Sequence, residues 1–351
     1  MLDWASFRSR PDVREANGPS SSGGVAESTQ SKKAGISLAL GGGCARGWAH
    51  IGVLRALDEA GIEVSMIAGT SIGALVGGCY LAGKLDELEE FARSLTKRRL
   101  FGLLDINFGG NGLFGGLKLD ARLREHLNGA RFEDLPKPFV CVASEIRTGH
   151  EIWLSSGLLI TAMRASYALP GVFEPVTANG RVLVDGALVN PVPVSVCRAY
   201  EQPLVVAVNL HYDLFGRAAV IKHSAGELTV EQDATPASRF SVESRARESR
   251  IGVTGVMVEQ DSSPAARFNA ESRSKEARIG LTGVMVEAFN IIQDRISRAR
   301  LAGDPPDLSL QPKLGHIGLT EFHRADEAIR IGYETTKAQL ADLQRLQTVL
   351  A

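Results

Sequence analysis

Ile67-Ala68-Gly69-Thr70-Ser71-Ile72-Gly73-Ala74 is the stretch whose reading decides the fold. Val64 to Ala68 leads into it as a β-forming run, and the residues after Ser71 are small and helix-compatible. Gly-x-Ser-x-Gly between a strand and a helix is what a nucleophilic serine on a tight turn requires. The serine takes strained backbone angles, so the positions two before and two after it carry almost no side chain. The turn sets the hydroxyl at the N-terminus of the following helix, where the backbone dipole favours an alkoxide and developing negative charge. The same glycines also suit a turn that only packs a helix on a sheet, and so short a pattern leaves both readings open.

Upstream, the apolar run Ile36-Ser37-Leu38-Ala39-Leu40 ends in Gly41-Gly42-Gly43-Cys44-Ala45-Arg46-Gly47. A helical pattern follows, with Ile51, Val53, Leu54 and Leu57 spaced to bury one face and Gly61 placed as a C-cap. N–H groups of such a loop at a helix N-terminus bind anions. The spacing is neither G-x-G-x-x-G with an acidic partner nor a P-loop. The same groups suit an oxyanion equally, and a second glycine-rich junction at Ser71 favours that use.

Downstream, Asp86-Glu87-Leu88-Glu89 resembles a capping box opening a helix to about Leu95. Leu100 to Leu119 alternates Leu, Phe and Gly without a clean period, as a mobile apolar lid, a membrane-touching flap or an ordinary loop over the core would. Phe139–Ile146 and Glu151–Leu154 read as a β-hairpin around Thr148-Gly149, and a short helix is expected at about Leu158–Ala165. Arg181 to Asp185 is an apolar strand ending in Asp-Gly, ordinarily a turn, and Pro203 to Leu210 reads as a central strand. Pro236–Glu259 and Pro264–Glu287 are near copies, each ending Thr-Gly-Val-Met-Val-Glu. Two copies do not make a solenoid. Their arginines (Arg239, Arg245, Arg247, Arg250, Arg267, Arg273, Arg278) form a solvated helical face or a surface for acidic lipid or a protein partner. A helix through Ile291, Ile292, Ile296 and Leu301 ends at Gly303-Asp304-Pro305-Pro306, and a last helix spans about Arg324 to Leu350.

Across 351 residues the net charge is −1, so bulk electrostatics give no argument for nucleic acid. Cys44, Cys79, Cys141 and Cys197 lie far apart with no metal-ligand spacing, which points to reduced thiols in a cytoplasm-like compartment. The first 33 residues lack the apolar core of a signal peptide and read as a disordered leader. Val64 to Gly83 holds no charge over the length of a membrane span. Its glycines fit a buried strand followed by a buried helix better.

Serine needs a base within hydrogen-bond reach. The histidines are His50, His126, His150, His211, His223, His316 and His323; His211, just after an expected strand, is the best placed of those that follow Asp185. None sits at a Gly-flanked apolar strand end, whereas Asp185 does, where burial raises a carboxylate's pKa. A Ser71–Asp185 dyad is therefore the sharper hypothesis.

The ordered set Gly-Gly-Gly-x-x-Arg-Gly (Gly41 to Gly47), Gly-Thr-Ser-Ile-Gly (Gly69 to Gly73) and Asp-Gly-Ala (Asp185 to Ala187) resembles the patatin-like phospholipase family. Ala165-Ser166 through Pro170-Gly171 to Pro175-Val176, and Asn190-Pro191-Val192-Pro193, resemble its bacterial branch. The similarity runs from about Gly35 to Leu210, and more weakly from Leu301 to about Ala328. It implies a three-layer α/β/α sandwich with a mainly parallel central sheet, and metal- and cofactor-free hydrolysis of lipid acyl esters through an acyl-enzyme. Carried onto this chain, Ser71 is the nucleophile and Asp185 its base. N–H groups of Gly42, Gly43 and Cys44 form the oxyanion hole. Arg46 holds that loop or simply pairs with a carboxylate, and Gly69, Gly73 and Gly186 support the turns.

The organisation expected is a leader at 1–33, a catalytic domain at 34–225, the duplicated Arg-rich insertion at 226–287, and a C-terminal helical part of the catalytic domain at 288–351. The activity expected is that of a phospholipase A-type hydrolase acting on phospholipid or lysophospholipid. It would work in the cytoplasm and transiently at the inner membrane surface, where Lys97, Arg98 and Arg99 attract anionic headgroups. The alternatives are a regulatory or scaffold protein of the same fold, or an acylglycerol or thioester hydrolase.

Overall fold

The computed structural model describes residues 35–96, 123–127, 129–213 and 281–350. The expected leader, the Lys97–Arg99 cluster, the Leu100–Leu119 stretch and the duplicated segment up to residue 280 lie outside them, as does His223.

The described residues form a sheet of eight strands flanked by helices. In chain order these are β1 (Ile36–Leu40), α1 (Ala49–Glu59), β2 (Val64–Thr70), α2 (Ile72–Leu81), α3 (Leu85–Ser94), β3 (Phe139–Glu145), β4 (Glu151–Leu154) and α4 (Leu159–Tyr167). They continue with β5 (Val176–Ala178), β6 (Arg181–Asp185), α5 (Val194–Ala199), β7 (Val205–Val208), α6 (Leu281–Gly303), β8 (Leu308–Leu310) and α7 (Ala325–Val349). Strands pair in the order β5-β6-β3-β2-β1-β7-β8, with β4 also on β3. β3, β2, β1, β7 and β8 run parallel, whereas β4, β5 and β6 add antiparallel pairs.

Side-chain alternation along the strands builds the three layers. Leu38, Leu40, Ile67, Val206 and Val208 point to the side covered by α1, α2, α3, α4 and α7. Ala39, Met66, Ala68, Val205 and Ala207 point to the other side, against Val194, Val196 and Cys197 of α5 and, from α6, Leu301. The chargeless Val64–Gly83 stretch is β2 followed by α2, a helix apolar all round and buried at every position but Tyr80. No helix among the described residues is long and apolar enough to cross a membrane.

Three expectations change. α3 starts one residue before Asp86 and Lys84 caps it without a side-chain hydrogen bond; Asp86 and Glu87 act as first-turn charges, not as a capping box. β7 is one strand in from the edge rather than central, because the short β8 adds beside it. β8 also means that the stretch beyond residue 288 contributes a strand as well as helices. β5, three residues long, pairs with β6 across Asn179-Gly180, both at positive φ, a hairpin signal that the sequence carries in plain view.

Candidate active site

β3 brings the site together. Its β4 partner covers Cys141 to Ser144, which leaves both β2 and β6 on the opposite edge. Along that edge β2 ends with Thr70 beside Val142, and β6 takes over with Asp185 beside the next residue, Ala143. The residue leaving β2 therefore meets the residue ending β6. Ser71 Oγ donates to Asp185 Oδ2 at 2.6 Å, with both residues buried.

Ser71 stands at φ 58° and ψ −123° as the N-cap of α2, a conformation that costs a non-glycine residue on the order of 1–3 kcal/mol. The surroundings hold it there. Its N–H donates to Ser166 Oγ at 2.9 Å, and Ser166 Oγ donates on to Val142 O at 2.6 Å. Thr70 Oγ1 donates to Asn190 O at 2.8 Å. Gly69 and Gly73 are glycines for lack of room: a Cβ at Gly69 would lie 2.6 Å from the Ala74 backbone, and one at Gly73 2.2 Å from Leu40 O.

Asp185 is fixed at both ends. Its N–H donates to Ala168 O, its carbonyl accepts from Ser144 Oγ, and its Oδ1 accepts from Ala187 N–H at 2.9 Å. Gly186 lets β6 bend away, since a Cβ there would lie 2.2 Å from Val142 O. Burial raises the Asp185 carboxyl to about 7, against the pull of the Ser71 hydroxyl and the Ala187 N–H. That value suits a general base working near neutrality.

The glycine loop lies beside this pair. Gly41 N–H extends the β1–β7 ladder to Val208 O, and Gly42 N–H donates to Pro191 O at 2.9 Å. The Gly42 group is thus taken up by the Asn190-Pro191 turn and is not open to a substrate. The N–H groups of Gly43 and Cys44 have no hydrogen-bond partner among the described residues. Cys44 sits at φ 48° at the start of a 3-10 turn, Cys44–Trp48. Burial and the Asp185 carboxylate, opposed by Arg46, push its thiol up to about 12, so it is no competing nucleophile. Arg46 is buried within this turn. Its Nε donates to Ile317 O at 2.7 Å and its guanidinium to Asn290 Oδ1 at 3.3 Å, which ties the loop to the C-terminal part of the chain. His50 joins Gly41 O through Nε2 at 2.7 Å, and burial lowers its pKa to about 4. Neutral His50 therefore donates to that carbonyl and braces the loop.

No histidine among the described residues hydrogen-bonds Ser71. His211 is fully buried, but neither ring nitrogen has a partner among the described residues, and burial with Arg46 nearby lowers it to about 3. His316 pairs with Glu327 at 2.9 Å. Among the described residues no three His, Cys, Asp or Glu side chains gather as a metal site would require. The bracing roles of Ser166 and His50 are not legible in the sequence: Ser166 stands out only as part of the resemblance, just past the expected helix end, and a lone histidine after a glycine loop carries no spacing signal.

The arrangement is a buried hydroxyl on a carboxylate, beside a loop whose Gly43 and Cys44 N–H groups have no partner among the described residues. The family model described as patatin-like phospholipase matches residues 38–198. An uncharacterized NTE family protein of Mycobacterium bovis is 41% identical over 176 residues, 50% of this chain and 49% of that protein. Human patatin-like phospholipase domain-containing protein 6 is 32% identical over 182 residues, 50% of this chain and 13% of that protein. The Drosophila melanogaster protein named neuropathy target esterase is likewise 32% identical over 182 residues, again 13% of its length. The match thus spans about half the length of the mycobacterial relative and a small part of the animal ones.

Proposed function

We propose, for a chain that belongs through residues 38–198 to the patatin-like phospholipase family, that Ser71 and Asp185 hydrolyse acyl esters of phospholipid or lysophospholipid. The family implies lipid acyl hydrolysis; the assignment of roles is ours. Ser71 Oγ attacks the ester carbonyl carbon while its proton passes to Asp185 Oδ2, the atom it already faces at 2.6 Å. The tetrahedral oxyanion is met by the N–H groups of Gly43 and Cys44 and by the positive end of α2. Collapse breaks the ester C–O bond, and the leaving alcohol takes the proton from Asp185. Water then attacks the acyl-Ser71 carbonyl, Asp185 accepts its proton, and collapse returns the free acid and the serine hydroxyl.

The observation that carries this reading is the short, buried hydrogen bond between a strained serine and a carboxylate raised to about 7. The relative named an esterase fits the same chemistry. We read the stretch 288–351 as part of the catalytic unit, because β8 pairs with β7 and α7 packs along α1. Ser71→Ala and Asp185→Asn are each expected to lower hydrolysis of a soluble p-nitrophenyl ester by more than about 10⁴-fold, with the fold kept by circular dichroism. Turnover retained in either variant would refute the dyad.

A further inference from the structure

Helix α6 turns its polar side inward. Asn290, Gln293, Asp294 and Ser297, at helical spacing, are buried, while Val284, Ile291 and Ile292 are exposed. Two members of this inward stripe are engaged through their side chains: Asn290 accepts from Arg46, and Asp294 holds Arg298. Ser297 Oγ and the Gln293 carboxamide oxygen both lack a partner among the described residues, and of the two it is Gln293 that lies against the glycine loop. Gln293 is 1% exposed. A buried amide left unpaired destabilises a fold, so its placement here points to a partner that arrives with the ligand.

Its position identifies that partner. A Cβ on Gly42 would lie 3.5 Å from Ser71 Cβ and 3.6 Å from Gln293 Oε1, so the carboxamide and the nucleophile flank one face of Gly42. Gly42 is also the loop residue whose own N–H is committed to Pro191 O. A developing oxyanion accepts hydrogen bonds and donates none. A half-turn about the terminal torsion of Gln293 exchanges its oxygen for the NH₂ group without moving the helix. From this we infer that Gln293 is a catalytic residue, its Nε2–H donating to the oxyanion beside the N–H groups of Gly43 and Cys44. It supplies the donor that Gly42 does not. The inference rests on the reading of Ser71 as nucleophile.

The test compares wild type, Ser71→Ala, Gln293→Met and Gln293→Asn, reading kcat, KM and thermal midpoint on p-nitrophenyl butyrate. Methionine matches the length of glutamine without a donor; asparagine keeps the amide but draws it back by one methylene. Loss of one oxyanion donor lowers turnover by about 10²–10³-fold. Gln293→Met is expected to lose kcat on that scale, with KM within about threefold and the midpoint at or above wild type, because an unpaired polar group has been removed. A purely structural glutamine would lower the midpoint and leave kcat alone. A kcat within threefold of wild type in Gln293→Met overturns the inference; should that variant not fold, Gln293→Asn decides by the same criterion. An inactive Ser71→Ala beside a fully active Gln293→Met sinks this inference alone, whereas an active Ser71→Ala sinks the nucleophile assignment with it.

Discussion

The junction after β1 and the junction after β2 are neighbours on adjacent parallel strands, and both place a non-glycine residue at positive φ at the start of a helical turn, Cys44 at 48° and Ser71 at 58°. They present different groups. After β1 the backbone carries the donors: the Gly43 and Cys44 N–H groups have no partner among the described residues, while Arg46 and His50 anchor the loop through carbonyls. After β2 the backbone is closed off, Ser71 N–H being held by Ser166, and the side chain is what faces the carboxylate. One junction is thus built to offer donors and the other to offer a hydroxyl. Each also makes room for the other: Gly73 lies under Leu40 and Gly41, and Gly47 lies against Ile72.

That interlocking predicts the largest effect. A Cβ at Gly73 would sit 2.2 Å from Leu40 O, a backbone atom, and one at Gly47 would sit 2.1 Å from Ile72 Cγ2, a side-chain atom. Overpacking costs about 1–3 kcal/mol where neighbours can shift, and more where they cannot. Gly73→Ala is therefore expected to prevent folding or to cost more than about 3 kcal/mol in urea titration. The loss in Gly47→Ala is expected to be partly recovered by adding Ile72→Ala. Equal losses in the two glycine variants, with no recovery in the double variant, would break the picture of a backbone wall on one side and a movable side chain on the other.

The difference in electrostatics gives the next effect. Asp185 must be ionised to accept the serine proton, so kcat/KM is expected to climb about tenfold per pH unit below about 7 and to level above it. Stability runs the opposite way. The folded pKa lies above the usual 3.8, so the folded state holds its proton where the unfolded chain has released it, and stability falls as pH rises from about 4 to about 7. Asp185→Asn removes this loss and is expected to exceed wild type in stability above pH 7 by up to roughly 4 kcal/mol, with no such gain below pH 4. Equal stability of the two proteins at pH 8, by urea titration, would contradict the raised pKa.

The smallest effect is expected at His211. It faces neither Ser71 nor Asp185 through a hydrogen bond, so His211→Gln is expected to leave kcat within a few-fold of wild type. A collapse of kcat there, with the fold intact, would restore a serine–histidine–aspartate scheme and remove the contrast between the junctions.

Much of this was legible in the residues. The Gly-x-Ser-x-Gly turn announces itself because sterics leave glycine little alternative at 69 and 73, and apolar runs marked β1, β2, β3 and β6. Asp185 stood out because an acidic residue ends an otherwise apolar strand. What stayed hidden depended on contacts distant in sequence. Nothing local to Gly42 tells that its N–H is taken by Pro191, about 150 residues later. β8 is three residues beside two prolines and has no periodicity to read. In α6 the isoleucines advertise the face that would ordinarily be buried, yet Ile291 and Ile292 face out while the opposite, polar face meets the buried Arg46 through Asn290.

The most direct test of the central claim is to label the protein with a fluorophosphonate and map the modified peptide by mass spectrometry, wild type beside Asp185→Asn. We expect a single adduct, on Ser71, formed at least about a hundredfold more slowly when Asp185 is replaced. An adduct on another residue, or hydrolysing protein that leaves Ser71 unlabelled, would contradict the account.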